Sequence, residues 1–285
     1  MPWQLLITLS VFLNAVSMVM QKVFFRTYSV SPAIFAIMFQ FTVAIVIGLF
    51  GFLFADMSLP KNLFEIFPFY MLMVLMYALG TYLYSLSLKE IEASRFTVIF
   101  ASRALFTVLA SSLLFKDYLD IKQWVGAALI FFSIALLNLH SLKLTLGRGE
   151  LLAIGAAILF GISNTNDSYL LKSWNLYPFV FTAFLFPALL LAIANRKEMI
   201  LISTFFSKSL GLHMLVLSSM YGASAIFFYA ALQSAENVSQ IAVANLTGVI
   251  ITVLLSVIYL KEKTQLAQKL FAVCISFLGL MLVSL

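Results

Sequence analysis

Ten long apolar runs follow one another along the chain, and short polar breaks separate them. Each run is close to the roughly 20 residues that a helix needs to cross the hydrocarbon core of a bilayer. The runs are apolar on all sides, whereas the strands of a membrane barrel alternate between apolar and polar positions. The pattern predicts an all-α integral membrane protein with ten transmembrane helices. These predicted spans, numbered 1 to 10, cover residues 3–24, 31–54, 66–88, 94–115, 123–140, 150–171, 177–194, 210–232, 238–260 and 266–284.

The composition agrees with this prediction, since 63% of the 285 residues are hydrophobic and only 10% are charged. A soluble domain usually carries about 25% charged residues because water must wet its surface. Ten spans leave room for short loops only, so we expect a chain surrounded by lipid, without a soluble domain. The net charge is +6, and the basic residues are spread over the loops. This distribution indicates membrane orientation and no nucleic-acid partner.

Signals for an enzyme or a cofactor are missing from the sequence. Cys274 is the single cysteine, which excludes an internal disulfide and a CxxC metal pair. His140 and His213 have no partner at the spacing of metal ligands. The sequence contains no catalytic triad and no glycine-rich phosphate loop. We therefore expect a protein that is not an enzyme and that needs no cofactor and no metal.

The beginning of the chain bears on its location. The first apolar run follows Met1-Pro2-Trp3 directly, without a basic region or a clear cleavage site. We interpret it as a retained helix and not as a signal peptide. The absence of a transit peptide favours the plasma membrane of a bacterium or an archaeon.

The two halves of the chain repeat one another weakly. Residues 3–32 align without a gap to residues 149–178, and beyond that segment the offset falls from 146 to 145. This predicts two five-helix units, residues 1–145 and 146–285. Because five is an odd number, the second unit enters the membrane inverted, as in many transporters. The matched positions include Ser17 and Ser163, Gln21 and Asp167, Arg26 and Lys172, Pro32 and Pro178, Tyr84 and Tyr229, and Lys116-Asp117 and Lys261-Glu262.

Arg103 is the clearest candidate for a functional residue. It lies near the middle of span 4, where an ionisable side chain costs at least about 2.5–3.5 kcal/mol. Phe100 and Thr107 share its helical face, and its counterpart in the repeat is Gly248, which leaves a gap. A guanidinium beside open space suits a carboxylate or a phosphate. The alternative interpretation is structural: a salt bridge with Asp167, or bonds to exposed helix carbonyls.

Spans 1 and 6 carry matching polar stripes. Span 1 places Ser10, Asn14, Ser17 and Gln21 along one side, and span 6 contains the run Ser163-Asn-Thr-Asn-Asp167. Such side chains often hold membrane helices together. Five consecutive polar residues exceed that need and favour a cavity that water can enter. Asp167 is either a proton-coupling carboxylate or a solvated residue near a helix end.

Tyrosines complete the candidate set. Two of them lie seven residues apart on span 3, and two more lie on one side of span 8. Tyrosine is also a normal anchor at the membrane interface. Both interpretations, cavity lining and anchoring, apply to Tyr77, Tyr84, Tyr221 and Tyr229.

On these features the chain resembles the EamA-type transporters of the drug/metabolite transporter superfamily. The resemblance covers the whole chain and rests on two five-helix halves, on the charged elbows Lys116-Asp117 and Lys261-Glu262, and on Tyr229-Ala-Ala-Leu at the end of span 8. Family elbows typically read Gly-Glu, so both glycines are missing here, and Tyr84-Ser-Leu-Ser only approximates the motif at the end of span 3. The resemblance implies a central cavity lined by spans 1, 3, 4, 6, 8 and 9, and alternating access. It implies cargo among amino acids, sugars, nucleotide-sugars, phosphorylated metabolites, polyamines or drugs.

Two arguments about orientation conflict. Loops on the side of the termini carry four basic residues, and loops on the opposite side carry twelve. The positive-inside rule then places both termini outside the cytoplasm. The resemblance implies both termini inside, so orientation stays open.

We expect a secondary transporter for a small anionic or zwitterionic metabolite, with amino acids as the leading cargo. Efflux of hydrophobic cations, as by a multidrug exporter, would instead use a central carboxylate and no central cation. A lipid-carrier flippase subunit would turn its polar groups toward a lateral opening. One chain suffices to form a pore, so a monomer or a homodimer is expected. The expected substrate-binding residues are Asn14, Ser17, Gln21, Tyr77, Tyr84, Phe100, Arg103, Asn164, Tyr229 and Asn245, and the expected coupling residue is Asp167.

Overall fold

The computed structural model describes residues 2–115, 121–136, 146–199, 208–234, 241, 244–245, 247–262 and 266–284. Within these ranges all regular secondary structure is helical. Six helical segments of the described residues are long and apolar enough to cross a membrane: Trp3–Thr27, Pro32–Phe54, Leu63–Glu90, Ala93–Ser111, Leu176–Ala194 and Ser209–Ser234. The helices are α1 (Trp3–Thr27), α2 (Pro32–Phe54), α3 (Leu63–Glu90), α4 (Ala93–Phe100), α5 (Arg103–Phe115), α6 (Ile121–Leu136), α7 (Arg148–Leu170), α8 (Leu176–Ala194), α9 (Lys208–Ser234), α10 (Thr247–Tyr259) and α11 (Leu266–Ser284).

Most predicted spans coincide with a helix to within a few residues. Span 2 was placed at residues 31–54 and α2 covers Pro32–Phe54. Ser31 explains this start, because its hydroxyl accepts the backbone N–H of Ile34 at 3.2 Å and Pro32 occupies the first helical position. The end of span 5 (residues 137–140), the beginning of span 9 (residues 238–240) and the elbow Lys116-Asp117 lie outside the described residues.

Span 4 is predicted at residues 94–115, and Ala93–Ser111 forms one segment long and apolar enough to cross a membrane. A turn at Ala101 and Ser102, which the sequence does not predict, divides this segment into α4 and α5, so Arg103 is the first residue of α5. The Ser102 hydroxyl donates to the carbonyl of Ile99 at 2.7 Å, and the backbone N–H of Phe106 donates to the carbonyl of Ser102 at 3.2 Å. These bonds satisfy backbone groups that the break would otherwise expose inside the membrane.

The helices pack in pairs that join the two halves of the chain. Helix α1 packs against α9 and α10, while α7 packs against α3 and α5. Helix α2 packs against α8, and α6 packs against α11. The outer surface carries large exposed apolar side chains such as Phe54, Phe64 and Leu113. Such a surface suits the hydrocarbon of a bilayer, where water does not penalise exposed apolar groups.

Gly161 allows α7 to approach α5 closely. A Cβ atom at this position would lie 2.5 Å from the carbonyl oxygen of Arg103 and 2.6 Å from Cβ of Phe106. The Thr107 hydroxyl donates to the carbonyl of Gly161 at 3.0 Å, and the Thr165 hydroxyl donates to the carbonyl of Thr107 at 3.0 Å. Small residues and hydroxyl groups are typical of close helix pairs in membranes. This contact therefore fixes where the backbone of Arg103 lies.

Charged side chains at one end of the bundle tie the two halves together. Glu262, just after α10, accepts from the Arg26 guanidinium at 2.9 Å and from the backbone N–H and the hydroxyl of Ser94 at 3.1 and 2.9 Å. Arg95 pairs with Glu150 at 3.0 Å. The Glu262 carboxylate thus lies at the N-terminus of α4, where the helix dipole favours a negative charge. Among the described residues, four of the twelve basic residues of the charge count take part in ion pairs, namely Arg26, Arg95, Arg148 and Lys269.

Candidate functional site

A cavity with two adjoining chambers lies inside the helix bundle. The first chamber has a volume of about 900 Å³ and the second about 660 Å³. Seven residues line both chambers, and we call this shared set the waist. They come from α1, α4, α5, α7, α9 and the segment before α10. The waist consists of Asn14, Met18, Phe100, Arg103, Asn164, Phe228 and Asn245.

Arg103 is the charged residue of the waist. Its guanidinium carbon lies 4.6 Å from the ring centroid of Phe100, which is within cation–π distance. Among the described carboxylates none forms an ion pair with Arg103. The salt bridge with Asp167, which the sequence left as an alternative, is therefore wrong. The guanidinium has five N–H donors in a fixed planar fork and faces space that a ligand can enter.

Three asparagines accompany Arg103 at the waist. Asn14 comes from α1, Asn164 from α7 and Asn245 from the segment before α10, and all three line both chambers. Each amide can donate and accept hydrogen bonds. The structure thus brings together these three predicted residues with Arg103 and Phe100. Gly248, the predicted gap opposite Arg103, lines the second chamber as well.

Asp167 lies outside the lining of both chambers and is fully buried. Its Oδ2 accepts hydrogen bonds from the hydroxyls of Tyr77 and Tyr229, the latter at 3.0 Å, and the two hydroxyls lie 2.8 Å apart. Its Oδ1 has no hydrogen-bond partner. The interpretation of Asp167 as a solvated residue is wrong. Because Tyr77 and Tyr229 line the first chamber, they stand between Asp167 and the cavity.

Tyr84 and Tyr221 also line the first chamber. The Tyr84 hydroxyl is buried without a hydrogen-bond partner, and its ring packs edge-on to Phe100 at 5.5 Å between centroids. All four tyrosines singled out in the sequence therefore line the cavity. Their place is the interior of the bundle and not its interface with lipid headgroups.

Ser17 and Gln21 lie elsewhere. Both are completely buried, and neither lines a chamber. The Ser17 hydroxyl donates to the carbonyl of Leu217 on α9 at 2.9 Å, and the Gln21 amide donates to Ser17 at 3.3 Å. Their bonds are those of helix packing. The polar stripe of α1 is thus divided between helix packing and the cavity, to which Asn14 and Ser10 belong.

Helices α2 and α8, which correspond to the predicted spans 2 and 7, contribute to the first chamber. The resemblance implied a lining from spans 1, 3, 4, 6, 8 and 9 only. Phe39 and Gln40 come from α2, and Ala183 and Phe184 come from α8. Sequence reasoning missed all four residues. Gln40 did carry a signal, since it is a polar residue in the middle of an otherwise apolar run. The described residues contain no group of three or more His, Cys, Asp or Glu side chains that could hold a metal ion.

Comparison with known families gives this geometry its context. The model of the EamA-like transporter family matches residues 1–139 and again residues 147–285. The chain belongs to the EamA-like transporter family. It is therefore a multi-pass membrane protein. Members of its family are transporters of small molecules across the lipid bilayer and not enzymes.

One solved structure, described only as a crystal structure of a protein, is similar to this chain with a TM-score of 0.69. The two are 13% identical, and the similarity covers 98% of this chain and 96% of the other. At this identity the similarity shows the fold alone. A search of curated proteins found no match.

Proposed function

We propose that this EamA-family protein is a secondary transporter that moves a small anionic or zwitterionic metabolite by alternating access, with amino acids as the leading candidates. The observation that carries the proposal is Arg103, a cation at the waist of the cavity without an ion pair among the described residues. A cation inside a membrane protein is costly unless it is paired or serves a function. A substrate carboxylate would supply the missing partner.

The surroundings of Arg103 suit a carboxylate. A guanidinium binds a carboxylate through two parallel N–H bonds, which fixes orientation as well as charge. The amides of Asn14, Asn164 and Asn245 can bond the remaining polar atoms of a zwitterion. The first chamber is lined mainly by aromatic and other apolar side chains with polar groups between them, which is the lining typical of small-molecule sites.

We propose further that the chain has ten transmembrane helices arranged as two inverted repeats, residues 1–145 and 146–285. The two matches to one family model, at residues 1–139 and 147–285, support this division. The packing supports it as well. Exchanging the halves converts the contact of α1 with α9 into that of α7 with α3, and the contact of α1 with α10 into that of α7 with α5.

Asp167 is proposed to couple transport to protons. An ionised carboxylate that is buried without a cation partner is costly, whereas the neutral acid is not. Asp167 Oδ1 and the hydroxyl of Ser163, one helical turn earlier, are both buried and close to each other, and neither makes a hydrogen bond of normal geometry. A proton is small enough to reach this pair past Tyr77 and Tyr229, and a solute is not. Asp167 lies on α7 and bonds Tyr77 on α3, so gain or loss of its proton would change the contact between these two helices. We propose that this change accompanies alternating access.

The alternatives receive less support from the cavity. A multidrug exporter for hydrophobic cations needs a carboxylate that faces its substrate. Over the described part of the chain, the residues lining the two chambers include no Asp or Glu. We also propose the plasma membrane of a bacterium or an archaeon as the location, and a monomer or a homodimer as the assembly. Both chambers lie within one chain, which supports an assembly in which each chain forms its own site.

Equilibrium binding to purified protein tests the proposal. The ligands are amino acids and simple monocarboxylates, each compared with its own uncharged amide. We expect carboxylates to bind, and Arg103→Ala to lower their affinity at least about 100-fold, because removing one partner of a desolvated charge pair has effects of this size. The ligand-free melting temperature of Arg103→Ala should not fall, since no described ion pair is lost.

Arg196→Ala, which removes an exposed arginine, is the matched control and should bind like the wild type. Equal binding of acids and amides by the wild type would contradict the proposal. Binding of lipid-linked carriers alone would favour the flippase subunit. A large fall in the melting temperature of Arg103→Ala, without loss of binding, would assign Arg103 a structural role.

A further inference from the structure

We propose that Gln40 is a second substrate-recognition residue, whose side-chain amide hydrogen-bonds a polar atom carried on a flat, apolar part of the substrate. The inference rests on the proposed function, because it takes Arg103 as the site of the carboxylate. It narrows the substrate class to carboxylates whose far end combines an aromatic or similarly flat body with a neutral hydrogen-bonding group.

The first observation is the state of the Gln40 amide. The residue is 1% exposed, lines the first chamber, and has no hydrogen-bond partner for Nε2. Nearly all buried polar groups in folded proteins are paired, and each exception requires an explanation. An amide left unpaired in a residue that lines the chamber is explained when a ligand completes its hydrogen bonds. Because an amide carries both a donor and an acceptor, a ligand hydroxyl can pair with either one.

The second observation is the wall on which Gln40 lies. Phe39 and Phe184 both pack edge-on to Tyr221, with ring centroids 4.9 and 5.8 Å apart. All three rings line the first chamber together with Gln40. Aromatic rings arranged in this way favour another flat, apolar group, which gains from edge-to-face contacts. A single amide within such a wall fixes orientation, as isolated polar groups do in apolar binding sites.

The third observation is the separation of the two recognition points. Arg103 lines both chambers, whereas Gln40 lines the first and not the second. A substrate that reaches both Arg103 and Gln40 therefore lies in the first chamber, with its far end toward α2 and α8. The described lining offers no carboxylate there, so the far end of the substrate is a neutral polar group and not a cation.

The test compares two ligands that differ by one hydroxyl, tyrosine and phenylalanine, in binding to the full-length protein. A site built around a buried hydrogen-bonding group rejects the analogue that lacks the partner. The wild type should bind tyrosine about tenfold more tightly than phenylalanine, as one net hydrogen bond predicts. Gln40→Met keeps the length of the side chain and removes the amide, so the ratio of the two affinities should fall to about one.

Ligand-free stability separates recognition from a structural role. Replacing an unpaired buried donor by an apolar chain removes a desolvation penalty. The melting temperature of ligand-free Gln40→Met should therefore equal or exceed that of the wild type. Thr42→Val is the matched control on the same helix, because its hydroxyl bonds the carbonyl of Met38 and does not line a chamber. It should keep the wild-type ratio.

The possible failures are distinguishable. If neither ligand binds while other carboxylates bind through Arg103, the inference about a flat substrate is overturned and the proposed function stands. If no carboxylate binds through Arg103, the proposed function fails. If both bind through Arg103 but Gln40→Met keeps the wild-type ratio, only the assignment of Gln40 is overturned. A lower melting temperature of ligand-free Gln40→Met, with an unchanged ratio, would make Gln40 a packing residue.

Discussion

Arg103 and Asp167 are ionisable residues on neighbouring helices, and the fold surrounds them in opposite ways. Arg103 lines both chambers, stacks on Phe100 and has no ion pair with a described carboxylate. Asp167 lines neither chamber and is sealed behind the hydroxyls of Tyr77 and Tyr229. A group that faces a cavity is available to a solute, and a sealed group is available only to a proton. On this difference rests our proposal that Arg103 binds the substrate and that Asp167 couples transport to protons.

The same comparison extends to the proposed repeats. The counterpart of Arg103 is Gly248, which lines the second chamber, and the counterpart of Asp167 is Gln21, which packs against Ser17. Each charge therefore occurs in one half only. The repeated positions specify helices and their contacts, while the chemistry of the cavity differs between the halves.

The largest effect on stability is expected from Gly161→Ala, which disturbs the contact between the helices of Arg103 and Asp167. The new Cβ would lie 2.5 Å from the carbonyl oxygen of Arg103, so α5 and α7 must separate. Overpacking of this kind costs about 1–3 kcal/mol. Melting in detergent and carboxylate binding measure the change, and both should decrease.

Gly155→Ala, on the same helix, is the control. Its Cβ would meet only Cδ1 of Leu83 within 4 Å, at 3.1 Å, and the end of a leucine side chain can move. If both variants melted alike and Gly161→Ala bound carboxylates normally, this contact would not be what positions Arg103.

An intermediate effect is expected from removing the acceptor in the buried cluster. Asp167→Ala leaves a buried tyrosine hydroxyl without its acceptor, which costs about 1–2 kcal/mol, whereas Asp167→Asn keeps an acceptor oxygen. The melting temperature of Asp167→Asn should therefore be close to that of the wild type, and that of Asp167→Ala should be clearly lower. Carboxylate affinity at neutral pH should change little in Asp167→Asn, because Asp167 does not line the cavity. A loss of affinity as large as that of Arg103→Ala would contradict the comparison.

The smallest effect is expected from Asp56, a carboxylate outside the membrane-spanning helices. The backbone N–H and the hydroxyl of Ser58, both at 2.9 Å, lower the pKa of Asp56 below its ordinary value of 3.8, and Asn175 adds a third bond. A lowered pKa contributes stability above the ordinary value, and this is lost as the pH falls through the folded-state pKa. Asp56 is exposed, so water screens the contribution. The melting temperature of Asp56→Asn should differ from that of the wild type by a small amount at pH 7, and this difference should shrink as the pH falls below 3.8. A difference that grows toward acid would contradict this sign.

The sequence predicted helix positions well because apolar runs of bilayer length have few other structures available. It did not predict the break before Arg103, because Ala101-Ser102 contains neither glycine nor proline. It could not divide the α1 stripe, since Ser17 and Asn14 are both polar and only the position of α9 decides which one faces the cavity. The position of Asp167 near the end of a predicted helix suggested a solvated residue, but its burial depends on the neighbouring helices α3 and α9, which the sequence does not place.

The most direct test of the central claim is counterflow in proteoliposomes, followed by accumulation under an imposed proton gradient. The labelled solute is the tightest-binding carboxylate of the binding panel. We predict that the wild type performs both, that Arg103→Ala performs neither, and that Asp167→Asn keeps counterflow but loses proton-driven accumulation. Counterflow by Arg103→Ala at the wild-type rate, or proton-driven accumulation by Asp167→Asn, would contradict the division of roles between the two residues.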